Sequence, residues 1–161
     1  MRDAILEIPF LERDTWIDEV LDIEPSPPDM PDLPRGSVPY LPCGIDEILA
    51  TVRDVPVGAG DILVDIGSGL GRVAILVHLL SGARARGIEI QLHLVERAIA
   101  RCRELSLPAV SFAHGNAADV ELDGSVFFLY APCNGEMLVR VLERIERVAR
   151  RRRIVVCAVG A

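Results

Sequence analysis

Residues 63–77 read "LVDIGSGLGRVAILV". Three glycines at alternate positions, Gly67, Gly69 and Gly71, separate a short apolar run from a longer one, and Asp65 stands two residues before the first. The short run has the length and composition of a buried strand, and the longer one has those of a helix. Glycine lets the backbone turn tightly and leaves no side chain between it and a ligand. The stretch therefore predicts the first strand-to-helix turn of an open α/β sheet. Ligands bind beyond the carboxyl ends of such strands, near the point where strand order reverses.

Outward from this turn the pattern alternates. Residues 44–55 predict a helix with Ile45, Ile48, Leu49 and Val52 on one side. "DILVDIG" is a strand, and "GRVAILVHLLSG" is a helix closed by Gly82. "ARARGIEI" ends in a strand, "QLHLVERAIARCRELSL" is a helix, and "VSFAHGN" and "SVFFLYAP" are strands. "GEMLVRVLERIERVARRR" is a long helix with Met137, Leu138, Val141, Leu142, Ile145 and Val148 at helical spacing, and "RIVVCAVG" is a fifth strand. Strands alternating with helices imply parallel strands and right-handed crossovers. Apolar runs without alternation fit strands covered on both faces. The expected fold is α/β: a Rossmann-like, open, mostly parallel sheet with helices on both faces.

Residues 1–39 read differently. "LERDTWIDEVLDIE" (11–24) predicts an amphipathic helix with Leu11, Trp16, Ile17, Val20 and Leu21 near one face. Seven of the eleven prolines then fall between Pro25 and Pro42, which predicts a linker or extended arm. Two units are expected: an acidic helix and proline-rich arm over 1–39, and a ligand-binding domain over 40–161.

At 161 residues with half of them hydrophobic, the chain can bury a real core and is not disordered. No apolar run approaches the ~20 residues that cross a bilayer, and "MRDAILEIPFLERD" lacks the pattern of a signal peptide. A soluble cytoplasmic protein is expected. Cys43, Cys102, Cys133 and Cys157 lie far apart without a CxxC pair, so reduced thiols are expected, with no metal site. The net charge of −7 resides wholly in residues 1–35, where ten acids face three arginines. The remainder is neutral and the chain contains no lysine. That acidity argues against nucleic acid as a partner, because phosphate attraction supplies most non-specific affinity.

The nicotinamide fingerprint is GxGxxG. Here the third glycine comes one residue early and Arg72 follows it. A carboxylate at the strand end, Asp65, repels a pyrophosphate but accepts from a ligand ammonium group or orients backbone amides. Glu89, in "GIEIQ", lies eighteen residues past Gly71, where an acid accepts from a ribose hydroxyl pair. Asn116, in "AHGNAAD", offers an amide to an adenine edge, with Asp119 as a neighbour.

"VDIGSGLG", "GIE" and "GNA", in this order, resemble the class I methyltransferases, which use S-adenosylmethionine. The likeness runs over roughly residues 40–160, and the first element resembles their D/E-x-G-x-G-x-G motif. It implies a cofactor site of Asp65, Gly67, Ser68, Gly69, Glu89 and Asn116. Gly67 and Gly69 would pass under the methionine end, Asp65 would support it, Glu89 would hold the ribose and Asn116 would lie by the adenine. The wording is nearest to the histone-lysine methyltransferases without a SET domain and their bacterial relatives. By the same likeness Tyr40, in "YLPCG", would close over the cofactor.

Two departures matter. Many relatives carry Asn/Asp-Pro-Pro-Tyr/Phe after the fourth strand, whereas "LYAPCNG" puts Ala131 and Cys133 there. This argues against adenine N6 methylation and leaves Tyr130, Asn134 and Tyr40 as candidate catalytic groups. The family's sheet also continues into a helix and an antiparallel hairpin, which this sequence is expected to lack; the open edge then offers a route to a homodimer. The expected function is methyl transfer to a protein side chain or small molecule. The alternative is a non-catalytic module of the same fold that binds a ligand or partner, and a weaker third reading is a nicotinamide-dependent oxidoreductase. His78, His93 and His114 are expected to be structural, Trp16 to anchor its helix, and Cys133 to be an unreactive thiol. Arg150 to Arg153 are expected to offset the dipole at a helix end.

Overall fold

The computed structural model describes residues 1–24 and 26–159; Pro25 of the proline run and the final Gly160 and Ala161 lie outside it. Helices α1 (Arg2–Glu7), α2 (Arg13–Leu21) and α3 (Ile45–Asp54) precede the alternating part. There β1 (Ile62–Ile66), α4 (Arg72–Ser81), β2 (Arg84–Glu89), α5 (Leu92–Glu104), β3 (Val110–His114), β4 (Val126–Tyr130), α6 (Gly135–Ala149) and β5 (Val155–Val159) follow in the expected sequence. The strands form one sheet of order β3-β2-β1-β4-β5. Every pair in it is parallel. Strand order reverses between β1 and β4, so the loops after β1 and β4 diverge and open a crevice at the carboxyl edge.

The side-chain period of two puts odd-numbered β1 residues on one face and even-numbered ones on the other. Leu63 joins a core with Ile48 of α3, Ile75 of α4 and Leu94 of α5. Val64 and Ile66 join a second core with Phe127, Val141 and Ile145. Helices thus cover both faces, which is why β1 and β4 are apolar but for Asp65 and the terminal Tyr130. Gly71 (φ +87°) opens α4 and Gly82 (φ +75°) closes it in the left-handed region, where a side chain is disfavoured.

The first 39 residues share the main core: Ile5, Ile17, Leu21 and Ile23 are buried in it beside Leu63 and Phe128. The helix expected over 11–24 is corrected. Residues Phe10–Glu12 form a 3-10 turn and α2 starts only at Arg13. This turn swings Leu11 outward to 88% exposure, and Val20 is also exposed. Ile5, not Leu11, supplies the missing apolar contact. Leu142 on α6 is likewise exposed. Among the described residues no helix is long and apolar enough to cross a membrane.

Candidate functional site

The crevice holds a narrow cleft with about 60 Å³ of water-accessible space. Its floor is Ile66, Gly67 and Ile88, and one wall is Glu89 to Gln91 with Gly115 and Asn116. The opposite wall is Tyr130 to Cys133 with Met137 and Val141, and residues Ser37 to Leu41 roof it.

The glycine turn spends its amides on β2. The N–H groups of Gly67 and Ser68 both donate to the Ile88 carbonyl, at 2.8 and 3.2 Å. Gly69 N–H donates to Glu89 Oε2 at 2.9 Å, and Glu89 Oε1 accepts from Gln91 N–H at 2.9 Å. A pyrophosphate seat needs free amides, so this turn is not one. Glu89 is only 6% exposed. It braces the turn and the start of α5 while lining the cleft.

Asp65 is 3% exposed and lies beneath the turn, outside the cleft lining. Burial pushes its carboxyl up to about 7, the Glu89 charge adds to this, and a backbone hydrogen bond from Ala74 opposes it. That Ala74 amide is in the first turn of α4, where helix N–H groups lack intrahelical partners. The second carboxylate oxygen, Oδ2, has no partner among the described residues. Two acids under one turn, with the Gly67, Ser68 and Gly69 amides already bonded, suit a cationic ligand better than an anionic one.

Of the residues expected in the site, the structure brings Gly67, Glu89, Asn116, Tyr130 and Tyr40 into the cleft wall. The other five, Asp65 among them, lie outside the lining of the cleft. Ser68 and Gly69 do not line it; the Ser68 hydroxyl is buried without a partner, against Gly87. Asn134 is exposed at the start of α6 and serves through its backbone, donating to the Gly36 carbonyl at 2.8 Å. Asp119 pairs with Arg140 at the surface. Nor is the turn bare: a Cβ on Gly67 would lie 2.7 Å from Pro132, and one on Gly69 would run into the Tyr40 ring. Asn116 Oδ1 accepts from Ala118 N–H at 2.9 Å, which leaves its amide nitrogen as the group free to donate.

The three histidines bond to backbone carbonyls: His78 to Ala83, His93 to Pro28 and His114 to Ile90. Burial raises the Cys133 and Tyr130 pKa values, so neither is a ready base at neutral pH. Ala131, between them, holds φ +43°, a conformation uncommon outside glycine.

Sequence reasoning missed a buried cation. Arg72, 5% exposed, pairs with Asp18 and Asp14 of α2 and donates to the Cys43 carbonyl at 2.9 Å. It ties the acidic N-terminal segment to the first residue of α4. The available signal was the excess of acid with Asp14 and Asp18 four residues apart, on one helical face. Burial holds the Asp18 carboxyl above its ordinary range although Arg72 opposes the shift. Phe112 was also missed: it fills the space beside Gly71 and Gly87, where a Cβ would strike it.

The fold recurs in solved structures. An RNA methyltransferase from Salinibacter ruber, in complex with S-adenosylhomocysteine, matches at TM-score 0.54 and 30% identity, over 56% of this chain and 60% of its own. The chain has the class I methyltransferase fold. A geranyl diphosphate C-methyltransferase from Streptomyces coelicolor A3(2), in complex with Mg²⁺, geranyl-S-thiolodiphosphate and S-adenosylhomocysteine, matches at TM-score 0.55 and 21% identity, over 63% of this chain and 38% of its own. The chain thus spans less than two thirds of either. No protein-family model and no curated protein matches the sequence. Within the class I fold, Glu89 ends β2 and the glycine turn follows β1, in the order the sequence predicts.

Proposed function

We propose that this chain is a methyltransferase that binds S-adenosylmethionine across the carboxyl ends of β1 to β3. The single observation that carries the reading is Glu89: a carboxylate at the end of β2 that both braces the glycine turn and faces the cleft. The likeness to S-adenosylhomocysteine-bound structures supports it. The residues fit the group: the spent amides disfavour phosphate, and the unpartnered Oδ2 of Asp65 offers negative charge beneath a sulfonium or ammonium end.

When bound, S-adenosylmethionine supplies an electrophilic methyl group. The chain's own residues bind and orient. Glu89 accepts from ribose hydroxyls, the Asn116 amide donates to an adenine ring nitrogen, and Gly67 allows close backbone approach. The roof over the cleft excludes water. Tyr130, kept protonated by its raised pKa, donates a hydrogen bond to an acceptor at the β4 side. Positioning of this kind lowers the barrier without a general base.

The acceptor in this reading is a protein side chain or a small molecule. The acidic N-terminal segment supports that choice over nucleic acid, and the RNA methyltransferase likeness makes RNA the comparison arm of any assay. The same reading includes a cytoplasmic protein that pairs with a second copy along β5, which among the described residues is hydrogen-bonded only to β4 and exposes Val156. Isothermal titration calorimetry with S-adenosylhomocysteine tests the cofactor assignment. Micromolar binding is expected, and absence of heat at millimolar ligand overturns it. A non-catalytic module of the same fold is the second reading, favoured by the contacts of Tyr40 and Pro132 with the turn. Transfer of a labelled methyl group to any acceptor in a cell extract eliminates it.

A further inference from the structure

Residues 29–41 cross the cleft as a strap. On the β4 side its backbone is fixed: Val38 N–H donates to the Pro132 carbonyl at 3.4 Å, Asn134 N–H donates to the Gly36 carbonyl at 2.8 Å, and Ser37 bridges Cys133 antiparallel. On the β2 side the bonds of residues 29–41 pass through two side chains, and His93 holds the Pro28 carbonyl just before them. Asp29 Oδ1 accepts from both Gln91 Nε2, at 2.7 Å, and Tyr40 N–H, at 2.8 Å. Gln91 Oε1 accepts from Met30 N–H at 2.7 Å. One exposed carboxylate therefore clamps both ends of a loop of eleven steps, from Asp29 to Tyr40, onto a glutamine that is 2% exposed.

The consequence lies at the glycine turn. With its amide held by Asp29, Tyr40 lays its ring against Gly69, where even a methyl group would clash. A ligand atom cannot share that contact. The two anchors are unequal: the β4 side is a backbone bridge, whereas the β2 side depends on side chains, and its bond from Tyr40 N–H to Asp29 is exposed, where water competes for it.

We infer that Asp29 and Gln91 form a latch that holds the strap shut with Tyr40 on Gly69, so that an S-adenosyl ligand reaches Gly69 only when the latch opens. Asp29 is then a positioning residue, acting through Tyr40. The inference rests on the proposed cofactor site. Its sign is distinctive, because loss of Asp29 speeds ligand entry instead of merely weakening binding.

The test uses the full chain, with S-adenosylhomocysteine association followed by surface plasmon resonance and hydrogen exchange followed over residues 30–40. In the wild type the observed association rate levels off at high ligand concentration, because opening limits it. Asp29→Ala raises that plateau and the exchange of the Tyr40 amide about five- to tenfold, the weight of a hydrogen bond. Asp29→Asn, which retains an acceptor oxygen, returns both toward wild type. Exchange in β1 stays unchanged, showing that the variants are folded. An unchanged or lower plateau, or unchanged exchange of the strap, overturns the latch. If no variant binds S-adenosylhomocysteine yet Asp29→Ala still loosens the strap, the cofactor reading fails and the clamp itself stands; if neither occurs, both fail.

Discussion

Asp65 and Glu89 project from neighbouring strands onto the same face of the sheet. Asp65 stands opposite Gly87 in the β1–β2 register, and Glu89 lies two residues further along β2. Their charges repel through the buried turn that separates them, and this contributes to the raised Asp65 pKa. A cationic group placed above the turn would relieve that repulsion and bring the Asp65 pKa down.

Asp65 makes stability depend on pH in a definite sense. Its carboxyl titrates near 7 in the folded chain, against an ordinary value of 3.8. Between those values the folded state holds a proton that the unfolded chain has released, so stability falls as pH rises through this window and levels off above it. Asp65→Asn cannot ionise and still accepts from Ala74. Its melting temperature relative to wild type is expected to climb from pH 4 to pH 8, with about 2–4 °C for each kcal/mol. Thermal scans at five pH values check this, and a pH-independent difference refutes the assignment.

Glu89→Ala removes the acceptors of the Gly69 and Gln91 amides and a carboxylate from the cleft wall. It is expected to weaken S-adenosylhomocysteine binding by about 1–3 kcal/mol. Glu89→Gln keeps one acceptor oxygen and is expected to retain more of the turn's stability than of its affinity. Calorimetry and thermal melts on both variants separate the two roles.

The Arg72 cluster predicts strong non-additivity. Arg72→Leu alone leaves the Asp18 carboxylate buried without its partner and is expected to cost about 3–5 kcal/mol. Replacing both, in Arg72→Leu with Asp18→Leu, is expected to recover most of that loss, because two desolvated charges leave together. Urea denaturation of the two singles and the double gives the coupling energy; additive losses contradict the buried pairing.

Gly87 isolates a steric requirement from a backbone one. It sits in a strand and is not among the positive-φ glycines, yet a Cβ there would collide with Phe112 and the Ser68 hydroxyl. Gly87→Ala is expected to destabilise by about 1–3 kcal/mol through overpacking. Adding Phe112→Leu is expected to restore part of it, as read by denaturant midpoints. Gly71→Ala, at φ +87°, is expected to stay destabilised in the same Phe112→Leu background, because its strain is in the backbone.

The elements and their order were legible in the sequence because they rest on local properties. Apolar periodicity marks strands and helices, glycine marks the turn, and the length of β2 fixes which residue ends it. The shared face of Asp65 and Glu89 follows from a period of two once the strands pair in parallel. The N-terminal region illustrates where such reading stops. Its prolines announced an arm, but not that Asp29 would reach Gln91 and Tyr40, nor that Leu11 would give way to Ile5 in the core.

The sequence by itself determined the alternating sheet, the glycine turn and the acids that flank it. Only the tertiary structure decided that Arg72 would be buried against α2, that Phe112 would fill the gap between Gly71 and Gly87, and that Tyr40 would rest on Gly69. Each of these joins segments separated by tens of residues. Such contacts are chosen by how faces fit when the chain closes, and no local run of residues encodes that fit.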